Sequence, residues 1–290
     1  MRRRFIIKIV LSAFLQIAYV PVFGQAMVFG SIPSYTPINL RNKQVLDTAQ
    51  LEVRYQLTWN YVGEAQTHVD DRTVFVGRNY VLSRNESLYQ NDSVATELLT
   101  KGAKGIPLYS EPVIPYEVLT NYKAKTVQVG YRIPFDGLIE SFVEPSNMFQ
   151  WTFCEDSTQA ILGYICNKAT ATYRGKKVTA WFTEDLPYNA GPYCFSGLPG
   201  LIMKVKMDGT IWQAIGIRAG RNNERMYSYA APRDKQSREK AIGFLIHLYE
   251  DPVAVYSAVG VECSASDNPD KTLSPGSLHW ALPCVIAIEK

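Results

Sequence analysis

Leu51-Glu52-Val53-Arg54-Tyr55-Gln56-Leu57-Thr58-Trp59-Asn60 alternates apolar and polar residues without a break. Successive side chains of an extended chain point to opposite sides, so a period of two marks a strand with one dry and one wet face. Leu51, Val53, Tyr55, Leu57 and Trp59 are assigned to the dry face. Segments on either side repeat the theme. Thr73 to Leu82 reads as a strand pair interrupted near Gly77, Tyr116 to Tyr122 as strand or helix, and Lys125 to Arg132 as a strand. Met148 to Cys154 is expected to be a strand, Glu155 to Thr158 a polar turn, and Ile161 to Tyr173 one long strand. Arg174-Gly175-Lys176 supplies a tight turn into Val178 to Thr183. Leu201 to Met207 and Thr210 to Arg218 flank Asp208-Gly209, a dipeptide suited to the left-handed backbone of a two-residue hairpin.

Helix is expected in one place above all. Ala241, Phe244, Leu245 and Leu248 recur at three- and four-residue steps from Asp234 or Ser237, with Pro252 past the end. A short helix from Ser93 is a second expectation within the polar stretch Asn85 to Lys104. Residues 25 to 48 read as an irregular lead-in. The tail from Val253 reads as loop with a last strand at Val285 to Ile288. The fold class is mainly β (α+β): a large, twisted, partly closed antiparallel sheet with one packed helix near residues 234–249.

Residues 1–24 have a basic start at Arg2, Arg3 and Arg4, an apolar run from Phe5 to Phe23 broken by Lys8 and Gln16, and a small residue at Gly24. That is the pattern of a secretory signal peptide, with no cysteine near the cleavage point to take a lipid. The mature chain is expected to be a single domain over residues 25–290, periplasmic or secreted, with no second apolar stretch long enough to span a membrane. The whole chain carries 30 basic and 27 acidic residues. Residues 1–24 hold three Arg, one Lys and no acids, so the remainder carries 26 basic against 27 acidic residues, a net charge of −1. Nothing in that balance argues for nucleic acid or an anionic membrane as partner.

Five cysteines, Cys154, Cys166, Cys194, Cys263 and Cys284, all lie in the mature part, where an oxidising compartment permits disulfides. Cys263 with Cys284 is the pairing expected, because it would tie down a loop-rich tail. No two cysteines stand at the two-residue spacing of thiolate metal clusters, and neither a metal nor a cofactor is expected. His68-Val69-Asp70-Asp71 reads as a solvated turn, and His247 as a partly buried helix residue. Glu155-Asp156, Glu184-Asp185 and Glu250-Asp251 are neighbours in sequence, which on a strand sends the two carboxylates to opposite faces. Zinc-protease, serine-hydrolase and phosphate-loop motifs are absent from the sequence.

Gly197-Leu198-Pro199-Gly200-Leu201-Ile202 is the sharpest local signal. Pro199 presets φ for the first central position of a type II turn and Gly200 accepts the positive φ of the second, so the hexapeptide reads as a corner feeding a strand. It closes a longer pattern: Trp151, Ile161, Gly163-Tyr164, Cys166, Lys168-Ala169, Tyr173-Arg174-Gly175, Ala180-Trp181-Phe182-Thr183, Pro187, Gly191-Pro192 and Phe195. This pattern resembles the GLPGLI family of bacterial envelope proteins. Glu52 to Tyr55, Phe75-Val76-Gly77, Ser83, Tyr116, Asn121-Tyr122 and Glu144 extend the resemblance upstream. Cys194 and Leu282-Pro283-Cys284 depart from it. The resemblance implies an exported, β-rich protein with no assigned reaction. More distantly, the strand order resembles a lipoprotein-carrier architecture, in which a curved sheet holds an apolar cavity.

Aromatic content points the same way, with eighteen Tyr, twelve Phe and five Trp carried largely on strands. The expected function is a non-catalytic binding module for an apolar small molecule or an envelope protein. A secreted hydrolase and an envelope assembly or structural factor are the alternatives. Trp59, Trp151, Trp181, Phe195 and Leu198 are the expected ligand-binding residues, with Trp212 as a further ring on a strand, and no catalytic residue is assigned.

Overall fold

The computed structural model describes residues 26–220, 225–229 and 231–290. The signal peptide expected at residues 1–24 lies outside them. Most of the chain enters one sheet. Its strands are β2 (Lys43–Asn60), β3 (Thr67–Gly77), β4 (Tyr80–Asn85), β5 (Tyr116–Asn121), β6 (Thr126–Arg132), β7 (Ile139–Pro145), β8 (Thr152–Ile161), β9 (Tyr164–Tyr173), β10 (Lys176–Thr183), β11 (Leu201–Met207), β12 (Thr210–Ala219), β13 (Arg225–Tyr229) and β14 (Arg233–Lys235). The spatial order is β14-β7-β6-β5-β4-β3-β2-β12-β11-β10-β9-β8, with β13 added to the first part of β2. β14 and β8 are the free edges of this order, so the sheet is open. Pairing is antiparallel except for β14, which runs parallel to β7. Separately, β1 (Ala26–Phe29) pairs in parallel with β15 (Glu262–Ala265). The lead-in and the tail, both expected to be irregular, thus hold each other.

Strand β2 keeps its alternation in space: Leu51, Val53, Tyr55, Leu57 and Trp59 are buried, while Glu52, Arg54, Gln56, Thr58 and Asn60 are not. Three hairpins turn on left-handed pairs, Leu162-Gly163, Arg174-Gly175 and Asp208-Gly209. The first of these splits the single strand expected from Ile161 to Tyr173. The turn expected at Glu155 to Thr158 is instead an irregularity inside β8, where Cys154 faces Lys168 and Thr158 faces Asn167. Extra residues on one strand of a pair are accommodated as a bulge without ending the pairing.

Four helices are present among the described residues. α1 (Glu86–Thr100) starts seven residues earlier than the Ser93 the sequence suggests, because Asn85 Oδ1 accepts from Leu88 N–H at 2.8 Å and caps it. Its stripe is thin, with only Leu88, Asp92 and Ala95 buried. α2 (Arg238–Glu250) is the expected helix, capped by Ser237, and it buries Ala241, Ile242, Leu245, Leu248 and Tyr249 against the sheet. Asp251 closes α2 and caps α3 (Pro252–Ser257), accepting from Ala254 N–H at 3.0 Å. The last segment, expected as a strand, is α4 (Cys284–Ile288). A short run buried on nearly all sides carries no periodicity that separates helix from strand.

The main core lies between the inner face of the sheet and the helices α2, α3 and α4. A smaller one gathers Leu51, Val53, Tyr55, Val74, Cys166, Leu201 and Met203. The expected Cys263–Cys284 bridge is not formed, and all five cysteines are free thiols. Cys284 Sγ lies 3.0 Å from Thr210 Oγ1, whereas Cys263 Sγ lies 3.6 Å from the Val261 carbonyl. Cys284 thus contacts β12 from α4, while Cys263 contacts its own segment. The tail is held by other means: Trp280 donates from its backbone to Tyr249 O at 2.8 Å and from its indole to Gly30 O at 3.1 Å.

Candidate functional site

The expected ligand-binding residues divide between two places. Trp59, Phe195 and Leu198 are buried in the main core, and Trp151 packs at its margin. Their rings meet other rings. Phe195 lies 5.3 Å from Trp212 and 5.2 Å from Phe149, which stacks on Trp151 at 5.3 Å. Trp59 packs edge-on to Tyr61 at 4.9 Å. Trp181 is elsewhere, on the face of β10 opposite Phe182, against the smaller core.

The segment from Gly191 to Ile202 is pinned rather than loose. Trp151 Nε1 donates to Ser196 O at 2.8 Å, Ile202 N–H to Ala190 O at 2.9 Å, and Tyr55 O–H to Ile202 O at 2.6 Å. The positive φ expected at Gly200 falls instead on Gly197, at 96°. Gly200 answers to space, since a β-carbon there would lie 2.0 Å from the Thr183 carbonyl oxygen. The corner exists, but its positive φ lies at Gly197, and Gly200 is required by close approach instead.

The concave site lies on another part of the sheet. A cleft of about 90 Å³ opens between α1, the sheet face of β4 to β6, and β13. At about 30 Å³ per water, that is the space of about three waters. Leu46, Leu82, Leu88 and Leu119 form the apolar part of its wall, and Tyr89, Tyr227 and Tyr229 the aromatic part. Three arginines enter it. Arg132 makes a two-pronged contact with Asp92, at 2.8 and 2.5 Å, and Arg233 hydrogen-bonds Glu117. Burial still raises the Asp92 carboxyl above its ordinary pKa, although Arg132 pulls it down.

Arg84 is held differently. Its guanidinium lies 3.3 Å from the centre of the Tyr89 ring, and its Nε stands 3.9 Å from Glu86 Oε2 with no hydrogen-bond partner. Glu86 is engaged elsewhere, accepting from Thr73 O–H at 2.8 Å. Arg84 therefore presents a stacked cation whose nearest carboxylate is out of hydrogen-bond reach.

Beneath the cleft runs a buried polar line that the sequence reading missed. His68, Asp70 and Arg72, at alternate positions of β3, share one face. Asp70 and Arg72 are only 4% and 1% exposed, in place of the expected solvated turn. Arg72 donates to Asp70 at 2.9 Å and to the Tyr116 carbonyl at 2.9 Å, and stacks on the Tyr116 ring at 3.7 Å. Asp70 also accepts from Ile114 N–H at 3.0 Å and from Asn85 Nδ2 at 3.3 Å. Asn85 thus caps α1 with its oxygen and joins Asp70 with its nitrogen, tying the helix over the cleft to the core below. Burial is the largest influence on Asp70 and raises its pKa despite Arg72. The available signal was the i, i+2 spacing of opposite charges leading into Val74 and Val76, which continues a strand face.

No curated protein matches the chain. Among solved structures it is similar to PNGF-II in space group C2, with 14% identity and a TM-score of 0.48 over 69% of this chain and 33% of that one. It is also similar to PNGF-II in space group P21, with 15% identity and a TM-score of 0.44 over 66% and 32%. The chain spans about a third of the length of those structures. Residues 172–204, which run from the end of β9 through β10 and the hexapeptide into β11, match the family described as "Protein of unknown function (Porph_ging)".

Proposed function

We propose that the protein is an exported, non-catalytic binding module of the GLPGLI family, and that its cleft receives a small ligand, or a partner's side chain, with an apolar body and one anionic group. Export is supported by the leader pattern of residues 1–24, and the family by the motif from Trp151 to Ile202. Arg84 carries the reading of the cleft. Of the three arginines lining it, Arg132 and Arg233 are hydrogen-bonded to carboxylates, while Arg84 lies over the Tyr89 ring, with Glu86 at 3.9 Å and Nε without a hydrogen bond. An apolar wall leading to such a cation suits a ring or short chain ending in a carboxylate. The carboxylates of the cleft, Asp92 and Glu117, are each engaged by an arginine, which supports binding over acid–base chemistry.

Titration calorimetry with phenylacetate and with phenylacetamide tests this. Phenylacetate is expected to bind wild type, to bind Arg84→Leu at least tenfold more weakly, and to outcompete the uncharged amide. Absence of phenylacetate binding, or equal binding by the variant, would overturn it.

A further inference from the structure

Trp181 sits in the cross-strand row Lys168–Trp181–Lys204, with Lys206 one step along β11 opposite Thr179. The three ammonium groups lie over one indole, at 6.0, 5.5 and 5.8 Å from its centre for Lys168, Lys204 and Lys206. Among the described residues none of the three forms an ion pair. Trp181 is half-buried and seated on the smaller core, so its ring is held in place while part of it stays open. Gln213, Thr179 and Thr170 occupy the same face by register. Burial and the neighbouring Lys206 lower the pKa of Lys204, the direction expected when like charges crowd without a counter-ion.

We propose that this face binds an acidic polysaccharide, with a sugar ring laid on Trp181 and its carboxylates among Lys168, Lys204 and Lys206. Three uncompensated cations around one aromatic ring call for an anionic occupant. The C–H face of a pyranose is apolar and suits an indole, while its ring substituents reach outward to ammonium, hydroxyl and amide groups. Strands about 4.8 Å apart set the lysines on either side of the ring at that scale. A nucleic acid is held through a longer basic track, since each lysine answers about one phosphate. A lipid surface favours an apolar side chain that protrudes, and Trp181 is packed into the sheet.

Binding of polygalacturonate is measured by titration calorimetry at low salt, beside neutral dextran, oligothymidylate and phosphatidylglycerol vesicles. Polygalacturonate is expected to bind and dextran not to. Trp181→Ala and the double change Lys204→Gln with Lys206→Gln are each expected to weaken binding at least tenfold. The lysine variant removes no core packing and keeps the test valid if Trp181→Ala fails to fold. The proposal is overturned if polygalacturonate does not bind, if the lysine variant binds as wild type does, or if oligothymidylate or the vesicles bind as tightly.

Discussion

Gly200 lies directly against Thr183: a β-carbon at Gly200 would stand 2.0 Å from the Thr183 carbonyl oxygen and 2.7 Å from its carbonyl carbon. Thr183 is paired with Leu201 at the end of β10, so its backbone cannot retreat without disturbing the strand that the hexapeptide feeds. Gly200→Ala is therefore expected to cost about 3 kcal/mol or more, through overpacking of backbone on backbone. Gly197→Ala, at a φ of 96°, is expected to cost about 1–3 kcal/mol through strain alone. Urea midpoints check both. A Gly200→Ala protein as stable as wild type would falsify the close-approach reading.

Asp70 and Arg72 form a buried pair, and removing one partner leaves the other charge without its counterpart. Asp70→Ala is expected to destabilise by about 3–5 kcal/mol. The double change Asp70→Leu with Arg72→Met is expected to recover part of that loss, because both buried charges go together. Chemical denaturation of the single and double variants measures the difference. A double variant no more stable than Asp70→Ala contradicts this account.

Glu140 on β7 is buried beside Asp234 of β14, its register partner, and its Oε1 has no hydrogen-bond partner. Burial, and then the Asp234 carboxylate, push its pKa up to about 8. Between its ordinary value and about 8 the folded protein keeps a proton that the unfolded chain releases. Stability is thus lost as pH rises through that window. Glu140→Gln, which mimics the protonated acid, is expected to flatten the wild-type decline between pH 5 and 8 and to be the more stable protein at the upper end. Parallel pH profiles of thermal midpoints for the two proteins decide it.

The thiols give a chemical readout of the fold. Cys154 is the one cysteine that is not buried, and burial raises Cys166 to about 11, far from a reactive thiolate. A maleimide is expected to modify Cys154 in the native protein and the other four only after denaturation. Protein prepared without reductant should carry five free thiols by mass. Rapid native labelling of Cys263 or Cys284, or a mass lacking one pair of hydrogens, runs against the structure.

Local order was legible in the amino-acid sequence itself. The alternation from Leu51 to Asn60 gave β2 and its dry face, Asp208-Gly209 gave the β11–β12 hairpin, and Ser237 with the spacing of Ala241, Leu245 and Leu248 gave α2. Each of these rests on a repeat or a cap within a few residues, which the chain carries wherever it is placed. Tertiary structure alone decided the rest. Cys284 to Ile288 became helix because they are enclosed by distant strands, and Gly200 is required by a carbonyl seventeen residues away. The cleft unites Ile38, Arg84, Arg132 and Arg233, and the lysine row around Trp181 joins three strands. Pairing between distant strands leaves no periodic mark in the sequence, so residues that meet only across the sheet become neighbours when its strands assemble on the core.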